Sequence, residues 1–285
     1  MSKKKKKKDL EPQYYMSATN TPVLNYKVYY MKPLEKILYF LLAFIVGAAV
    51  GYLFYGGIGK DEYGNPTTVT FVINITIPTI VGLFVGRKFV PMRQRQIIEK
   101  RVRMLRFQFR DMLDSLNTAL GAGKNVPDSF LTVYNDLQLQ YDSSSFIINE
   151  LAVIISGMQN NVDIEDMLED LGTRSGIDDI ISFANVFRIS YRKGGNIKDV
   201  IRNTYNIITE KMEIEDEIDT MLASNKMEQN IMIFMPIVLI ALIKMMGADF
   251  ADNFVTPAGI ASTTVAIAIF AAAYWLCKEL MDIKI

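Results

Sequence analysis

The sequence predicts an all-α membrane protein with four transmembrane helices and a cytoplasmic bundle of about six helices. Two observations carry this prediction. Four apolar runs are long enough to cross a bilayer, and the stretch between the second and third runs repeats apolar residues at helical spacing. No convincing alternating strand pattern interrupts that stretch between residues 87 and 229.

Each apolar run approaches the roughly 20 helical residues that a hydrocarbon core of about 30 Å requires. The second run contains Asn74, Thr76 and Pro78, and Lys244 in the third lies close enough to one end to reach the interface. The runs are Ile37–Tyr55, Thr68–Gly86, Asn230–Gly247 and Gly259–Cys277. The predicted organisation is a basic cytoplasmic tail (1–33), the first two spans (34–86), a cytoplasmic helical domain (87–229), the last two spans (230–277) and a cytoplasmic C-terminal tail (278–285).

The distribution of lysine and arginine predicts that both termini and the middle domain are cytoplasmic, in a multi-pass protein of the cell (inner or plasma) membrane. The N-terminal tail carries the run Lys3–Lys8, and nine basic residues lie between positions 87 and 110. In the first short loop the only basic residue is Lys60, and the second loop has Asp249 and Asp252 but no basic residue. The Lys3–Lys8 run is typical of a solvated tail and also of a segment attracted to anionic lipid headgroups, and these interpretations are compatible.

Apolar stripes and capping residues divide the middle domain into helices predicted at 91–121, 126–138, 144–160, 164–173, 177–193 and 197–228. Three of these begin with the same pattern, in which Asn125, Asp163 or Asn196 precedes an aspartate by three positions. The first residue can cap free amides, and the later acid suits the positive end of the helix. Glycines at 121, 123, 194 and 195 allow tight reversals before two of these starts.

The composition argues against several enzyme classes. The chain has no histidine and only one cysteine, Cys277, so the commonest general base and the commonest metal ligand are missing and an internal disulfide is impossible. The stretch Gly121–Asn125 resembles the end of a phosphate-binding loop, but Thr118 stands where that motif needs glycine and Asn125 where it needs serine or threonine. We therefore predict no catalytic, cofactor-binding or metal-binding residues, and no enzymatic activity.

Charge patterning identifies one candidate partner contact. Five basic residues and one acid lie between positions 188 and 202, around a pair of glycines at a helix–helix turn. The candidate residues are Arg188, Arg192, Lys193, Gly194, Gly195 and Asn196. An ordinary solvated face is the alternative interpretation. Nucleic acid is not an expected partner, because the middle domain has eighteen basic and twenty-two acidic residues and its main basic block adjoins the membrane.

Several short motifs occur together in this chain. They are Leu120–Gly123 with Val126–Pro127, Thr173–Gly176, Arg192–Ile197, Thr256–Gly259 and Asp282–Ile283. These motifs resemble the type II secretion system F domain, which is found in inner-membrane platform proteins of type II secretion, type IV pilus and tight-adherence (Tad) systems. The resemblance covers roughly residues 85 to 285 and is greatest to the Tad branch, which carries one such domain with paired spans. The chain departs from that branch at Ile260, where an arginine often follows, and in its lysine tail.

The resemblance implies a non-enzymatic assembly platform that contacts a hexameric secretion ATPase and passes its motion to pilin or pseudopilin subunits. It also implies a homo- or hetero-oligomer, with a paralogous platform subunit as a possible partner and membrane lipids around the spans. Unbroken helices from the second span into the domain, and from the domain into the third span, would suit such a relay. The alternatives are a small transporter subunit coupled to a separate ATPase, and a membrane-bound sensor, which the short outer loops disfavour.

Overall fold

The computed structural model describes residues 11–17, 21–59, 61, 65–247 and 253–281, without the side chains of residues 278, 280 and 281. Several sequence predictions concern residues outside this range. They are the lipid contact of Lys3–Lys8, the topological roles of Lys60, Asp249 and Asp252, and the motif Asp282–Ile283.

Within the described residues, two short strands are followed by eight helices. The strands are β1 (Tyr14–Met16) and β2 (Pro22–Leu24), and the helices are α1 (Pro33–Tyr55), α2 (Thr68–Gly121), α3 (Val126–Gln140), α4 (Phe146–Gln159), α5 (Ile164–Ser175), α6 (Asp178–Arg192), α7 (Ile197–Met245) and α8 (Pro257–Met281). Helices α1, α2, α7 and α8 each contain a stretch long and apolar enough to cross a membrane. The predicted fold class is confirmed.

The chain divides into two compact units. One contains the described residues up to Tyr30 together with Gln94–Glu213, and we call it the bundle. The other contains Met31–Arg93 and the described residues from Ile214 onward, and we call it the span unit.

The core of the bundle is formed by the apolar stripes that the sequence predicted. Leu105, Phe109 and Leu116 of α2 are fully buried, and so are Ile147 and Leu151 of α4. Aromatic rings join three helices, because Phe183 of α6 meets Phe109 edge-on at 5.5 Å while Phe187, also of α6, meets Phe130 of α3. The helical periodicity therefore predicted most of the buried face of α2, α4 and α6.

Two of the three side chains that were predicted to cap the start of a helix make the expected hydrogen bond. The Asn125 side chain accepts a hydrogen bond from the Asp128 amide at 2.8 Å, and that of Asn196 accepts from the Asp199 amide at 3.4 Å. The prediction for Asp163 is wrong, since its side chain makes no capping hydrogen bond. The first turn of α5 has two acids of its own in Glu165 and Asp166, which already suit the positive end of the helix.

The described part of the N-terminal segment, residues 11–17 and 21–30, belongs to the bundle. Strands β1 and β2 pair antiparallel, with Tyr14 opposite Leu24. The Asn25 side chain is buried and donates a hydrogen bond to the Pro12 carbonyl at 3.1 Å. The backbone amide of Asn25 donates to the Gln13 carbonyl. Three-residue strands are too short to show alternation, so the sequence pattern predicted neither of them.

The paired glycines of α1 and α2 bring these two helices into backbone contact within the span unit. A Cβ atom on Gly82 would lie 2.8 Å from the Phe44 carbonyl oxygen, and one on Gly51 would lie 3.1 Å from the Pro78 Cα. The small-residue spacing in these spans therefore serves contacts inside the chain. The same spacing in α8, at Ala258, Ser262 and Ala266, leaves all three residues exposed.

Helices α2 and α7 continue through the positions where a break would be expected. Pro78 and Pro91 both lie inside α2, and Pro236 lies inside α7. Each proline removes one backbone hydrogen bond without ending the helix. At 1.5 Å per residue, the 54 residues of α2 correspond to about 81 Å and the 49 residues of α7 to about 74 Å.

Candidate interaction site

The two glycine turns that the sequence singled out lie next to each other in the bundle. The first ends α2 and the second connects α6 to α7. A Cβ atom on Gly121 would lie 3.7 Å from the Lys198 Nζ, so the first turn of α7 reaches over the end of α2. We call residues 121–125 and 193–198 the turn surface.

Glycine is required in each turn by the backbone. Gly123 has φ +85° and Gly194 has φ +70°, in the left-handed region that other residues avoid. The Gly195 amide donates to the Ser190 carbonyl at 2.7 Å, which closes the end of α6 as in a helix-capping motif. A Cβ atom on Gly123 or Gly194 would meet no other atom within 4 Å, so both turns face open space.

Of the six predicted contact residues, four lie in the second turn. Lys193, Gly194, Gly195 and Asn196 are exposed. The Asn196 side chain also donates to the Asp199 carboxylate at 2.5 Å, which keeps it at the start of α7. These four residues are therefore accessible to solvent.

The remaining two predicted residues, Arg188 and Arg192, are engaged within the bundle. Arg188 forms an ion pair with Asp166 at 2.6 Å and contacts Glu169 as well, and Arg192 Nε lies 2.9 Å from the Glu165 carboxylate. The hydrogen bond to Glu165 is the main cause that raises the pKa of Arg192, with the negative charges of α5 adding to it. These arginines hold α6 against α5, so replacing them would also disturb the bundle.

A second cluster, which sequence reasoning missed, is buried between α4, α5 and the N-terminal segment. The Arg174 guanidinium binds the Glu150 carboxylate through two contacts of 2.9 and 2.7 Å. The Tyr26 hydroxyl donates to the same carboxylate at 2.8 Å, and its ring meets Phe146 edge-on at 5.4 Å. Only 3% of Arg174, 4% of Glu150 and 1% of Tyr26 is exposed, so these charges are almost completely removed from water.

The environment fixes the protonation of this cluster. Burial raises the pKa of the Tyr26 hydroxyl well above its ordinary value, and the charge and hydrogen bond of Glu150 raise it further. Burial alone would lower the pKa of Arg174, but its hydrogen bonds and ion pairs with Glu150 and Asp170 outweigh that cost and raise it. The Tyr26 hydroxyl therefore stays protonated and donates a hydrogen bond to Glu150, while the Arg174 guanidinium stays charged.

One signal in the sequence could have found this cluster. Glu150 lies at helical spacing among Ile147, Leu151 and Ile154, on the apolar face of α4. An acid on such a face needs a buried partner. Its partners are 24 and 124 residues away along the chain, at Arg174 and Tyr26, so spacing alone could not identify them.

The span unit contains an apolar cavity of about 720 Å³. Residues from α1, α2, α7 and α8 line it, among them Phe54, Val81, Ile237 and Phe270. Its polar atoms are few, and the side chain of Asn74 is used elsewhere, since it accepts a hydrogen bond from the Gly57 amide at 2.9 Å. In the part of the chain that the structure describes, no group of three or more cysteine, aspartate or glutamate side chains is arranged to hold a metal ion.

Residues 112–243 match the family model described as type II secretion system (T2SS), protein F. The match runs from within α2 to the apolar part of α7, and it supports the type II secretion system F family for this chain. No curated protein and no solved structure matches the chain. The four apolar helices and the family match together point to a multi-pass inner-membrane protein.

Proposed function

We propose that this protein is the non-enzymatic assembly platform of a Tad or type IV pilus-like machine, or of a type II secretion machine, in the inner membrane. In this role it couples a cytoplasmic hexameric ATPase to the assembly of pilin or pseudopilin subunits. The family match over residues 112–243 supports the platform role. Tad membership and the ATPase partner rest on the sequence motifs.

The observation that carries the proposal is the continuity of α2 and α7. Each helix joins a stretch apolar enough to span a membrane to a stretch that packs in the bundle. In α2 the apolar residues come first and the buried residues Leu105–Leu116 follow, whereas α7 begins with the buried Ile201 and Ile208 and ends in its apolar stretch. Helical rods of this kind can carry a displacement from one end to the other, because their hydrogen bonds are satisfied internally.

The turn surface is the proposed ATPase contact. Lys193, Gly194 and Gly195 are exposed there, and Lys198 adds a positive charge above the end of α2. A partner with an acidic face would be attracted to this end of the bundle. Arg188 and Arg192 do not belong to the turn surface, but their ion pairs with α5 hold the end of α6 that precedes it.

Substitution of Lys193 tests this contact more directly than substitution of the two arginines, since it leaves the α5–α6 ion pairs in place. We expect Lys193→Glu to reduce recovery of the secretion ATPase in a pull-down with the full-length chain, while helical content stays unchanged. Lys193→Arg, which keeps the charge, and Lys100→Glu, which makes the same charge change at an exposed site in α2, are the matched controls. Equal recovery with Lys193→Glu and wild type would reject the turn surface as the contact.

Deletion of the gene tests the proposed function as a whole. We expect a deletion strain to lose surface pili or the secreted protein, and a plasmid copy of the wild-type gene to restore them. Normal pili and normal secretion in the deletion strain would refute the platform role. Ligand-dependent flux in vesicles containing the protein would then favour the transporter alternative.

A further inference from the structure

Tyr26 and its backbone neighbours attach the N-terminal segment to α4 and α5, while Tyr29 attaches it to α2 through Gln94 and Arg101. The Tyr26 hydroxyl binds Glu150, the Tyr26 amide donates to the Arg174 carbonyl at 3.1 Å, and the Arg174 Nη1 donates to the Leu24 carbonyl at 3.0 Å. The aliphatic part of Lys27 lies over Gly176, where an added Cβ would come within 2.7 Å of it. The segment therefore binds in the manner of an extended peptide, through backbone hydrogen bonds and one inserted side chain.

We call Phe146, Glu150 and Arg174 the socket. Its charged pair is costly to bury, and an apolar replacement of similar volume would serve stability at least as well. The pair is better suited to recognition of the segment, because each group of Glu150 and Arg174 that faces the segment makes a hydrogen bond with one atom of it. Glu150 accepts from a hydroxyl, and Arg174 both donates to a carbonyl and accepts from an amide. An aromatic ring without a hydroxyl would leave one of these bonds unmade.

The contact beside the socket is loosely packed. A cleft of about 150 Å³ lies between Ser17 and the residues of α4 and α5, and another of about 420 Å³ lies between β2 and α4. The interior of the bundle is close-packed by comparison, with Leu105, Phe109 and Leu151 fully buried. A segment that covers open clefts leaves part of its contact surface unpacked, which favours its detachment while the bundle stays folded.

We propose that the socket is a binding site for an extended peptide carrying a tyrosine, and that the chain's own residues 22–27 occupy it as a detachable intramolecular ligand. The site includes Arg174 of the Thr173–Gly176 motif and shares no residue with the turn surface. The proposal is independent of the platform function, since it depends only on contacts within the bundle.

The first experiment supplies the segment as a separate peptide. The acceptor is the full-length chain with Tyr26→Ala, which weakens the internal ligand, and the probe is a fluorescent peptide of residues 11–30 followed by anisotropy. We expect this variant to bind the peptide at least about tenfold more tightly than the wild-type chain, in which the attached segment competes at high effective concentration.

Peptide variants test whether the hydroxyl is recognised. A peptide with Tyr26→Phe should bind about tenfold or more weakly, because it lacks a hydrogen bond to a charged group. A peptide with Tyr14→Phe is the matched control and should bind like the wild type, since the Tyr14 side chain is exposed. Failure of the folded Tyr26→Ala chain to bind the peptide would overturn the proposal. Equal affinity of the Tyr26→Phe peptide would do the same.

The second experiment needs no substitution and decides the matter if Tyr26→Ala does not fold. Hydrogen exchange of the wild-type chain compares the Tyr26 amide, bonded to Arg174, with the Leu151 amide inside α4. A detachable segment predicts that the Tyr26 amide exchanges at least about tenfold faster than the Leu151 amide. Equal protection of the two amides would mean that the segment opens only with global unfolding, and the proposal would be rejected.

Discussion

At the scale of single residues, the bundle depends on a few charged side chains removed from water. Arg174 uses its Nε on Asp170 and its two terminal nitrogens on Glu150 and the Leu24 carbonyl, so four contacts share one guanidinium. Such an arrangement is sensitive to the loss of either partner, because the other charge is then left buried and unpaired.

Arg174→Met should destabilise the full-length chain by about 3–5 kcal/mol, since Glu150 loses its counter-charge while remaining buried. The measurement is chemical unfolding in detergent followed by circular dichroism. The double variant Arg174→Met with Glu150→Leu should recover most of this loss, because no buried charge remains. A double variant as unstable as the single one would contradict the assignment of the effect to the unpaired carboxylate.

Ionisation of the Tyr26 hydroxyl makes the free energy of unfolding depend on pH in the alkaline range. Its pKa is raised in the folded state, first by burial and then by Glu150, whereas in the unfolded chain it is about 10. The folded state therefore keeps the proton longer, and its advantage is complete below about pH 10 and is lost as the pH rises further. The stability of the wild type should fall about 1.4 kcal/mol per pH unit more steeply than that of Tyr26→Phe above about pH 10. Equal slopes in unfolding curves would refute this.

At the scale of elements, the helices differ in what holds them in place. The bundle helices are joined by apolar side chains and by ion pairs, such as those of Asp179 with Arg106 and Lys211. Helices α1 and α2 instead pack through glycines that let their backbones touch. A side chain added at that contact has no space to occupy.

Gly82→Val should separate α1 from α2 and destabilise the span unit by about 1–3 kcal/mol, as expected for overpacking. The reason is the distance of 2.8 Å between an added Cβ and the Phe44 carbonyl oxygen. Ala266→Val in α8 is the matched control, because Ala266 is exposed. Thermal unfolding in detergent compares the variants, and an equal effect of both substitutions would contradict the role given to the glycine contact.

The proposed relay predicts that the stiffness of α7 matters. Insertion of three glycines after Ala223 should abolish pilus assembly or secretion while leaving ATPase association intact, because each glycine in a helix costs about 1 kcal/mol relative to alanine. Insertion of three alanines changes the length and the rotational register of α7 as much as three glycines do, but it keeps the helix stiff. The alanine variant should therefore retain more activity than the glycine variant. Complementation of the deletion strain measures both. Equal loss with both insertions would indicate that register, not stiffness, is required.

At the scale of the whole molecule, the charge distribution predicts which parts face the cytoplasm. The bundle, both termini and the basic residues 87–110 belong on one side, and the two short loops on the other. The family match agrees with an inner-membrane protein, and the orientation stays a prediction.

Cysteine labelling tests this orientation. In a Cys277→Ser background, Asn65→Cys in the first outer loop should react with an impermeant maleimide on spheroplasts, and Ser143→Cys between α3 and α4 should react only after lysis. Both positions are exposed, so accessibility depends on the side of the membrane. The reverse pattern would overturn the predicted topology.

The sequence by itself determined the four apolar spans, the helices of the bundle, most of the buried face of α2, α4 and α6, and the glycine turns. These features depend on neighbours three or four positions apart, and local periodicity and capping record them directly. The predicted contact residues Lys193–Asn196 are exposed as expected, but only the tertiary structure assigned Arg188 and Arg192 to α5.

Only the tertiary structure also decided what the N-terminal segment and the small residues do. Tyr26 finds Glu150 across 124 positions, and Gly82 finds Phe44 across a loop between two spans. Contacts of this length leave no periodic trace, because they depend on how separate helices pack. The four-span helical fold that the sequence predicted thus stands, and packing added a buried ion-pair cluster whose partners no local pattern could identify.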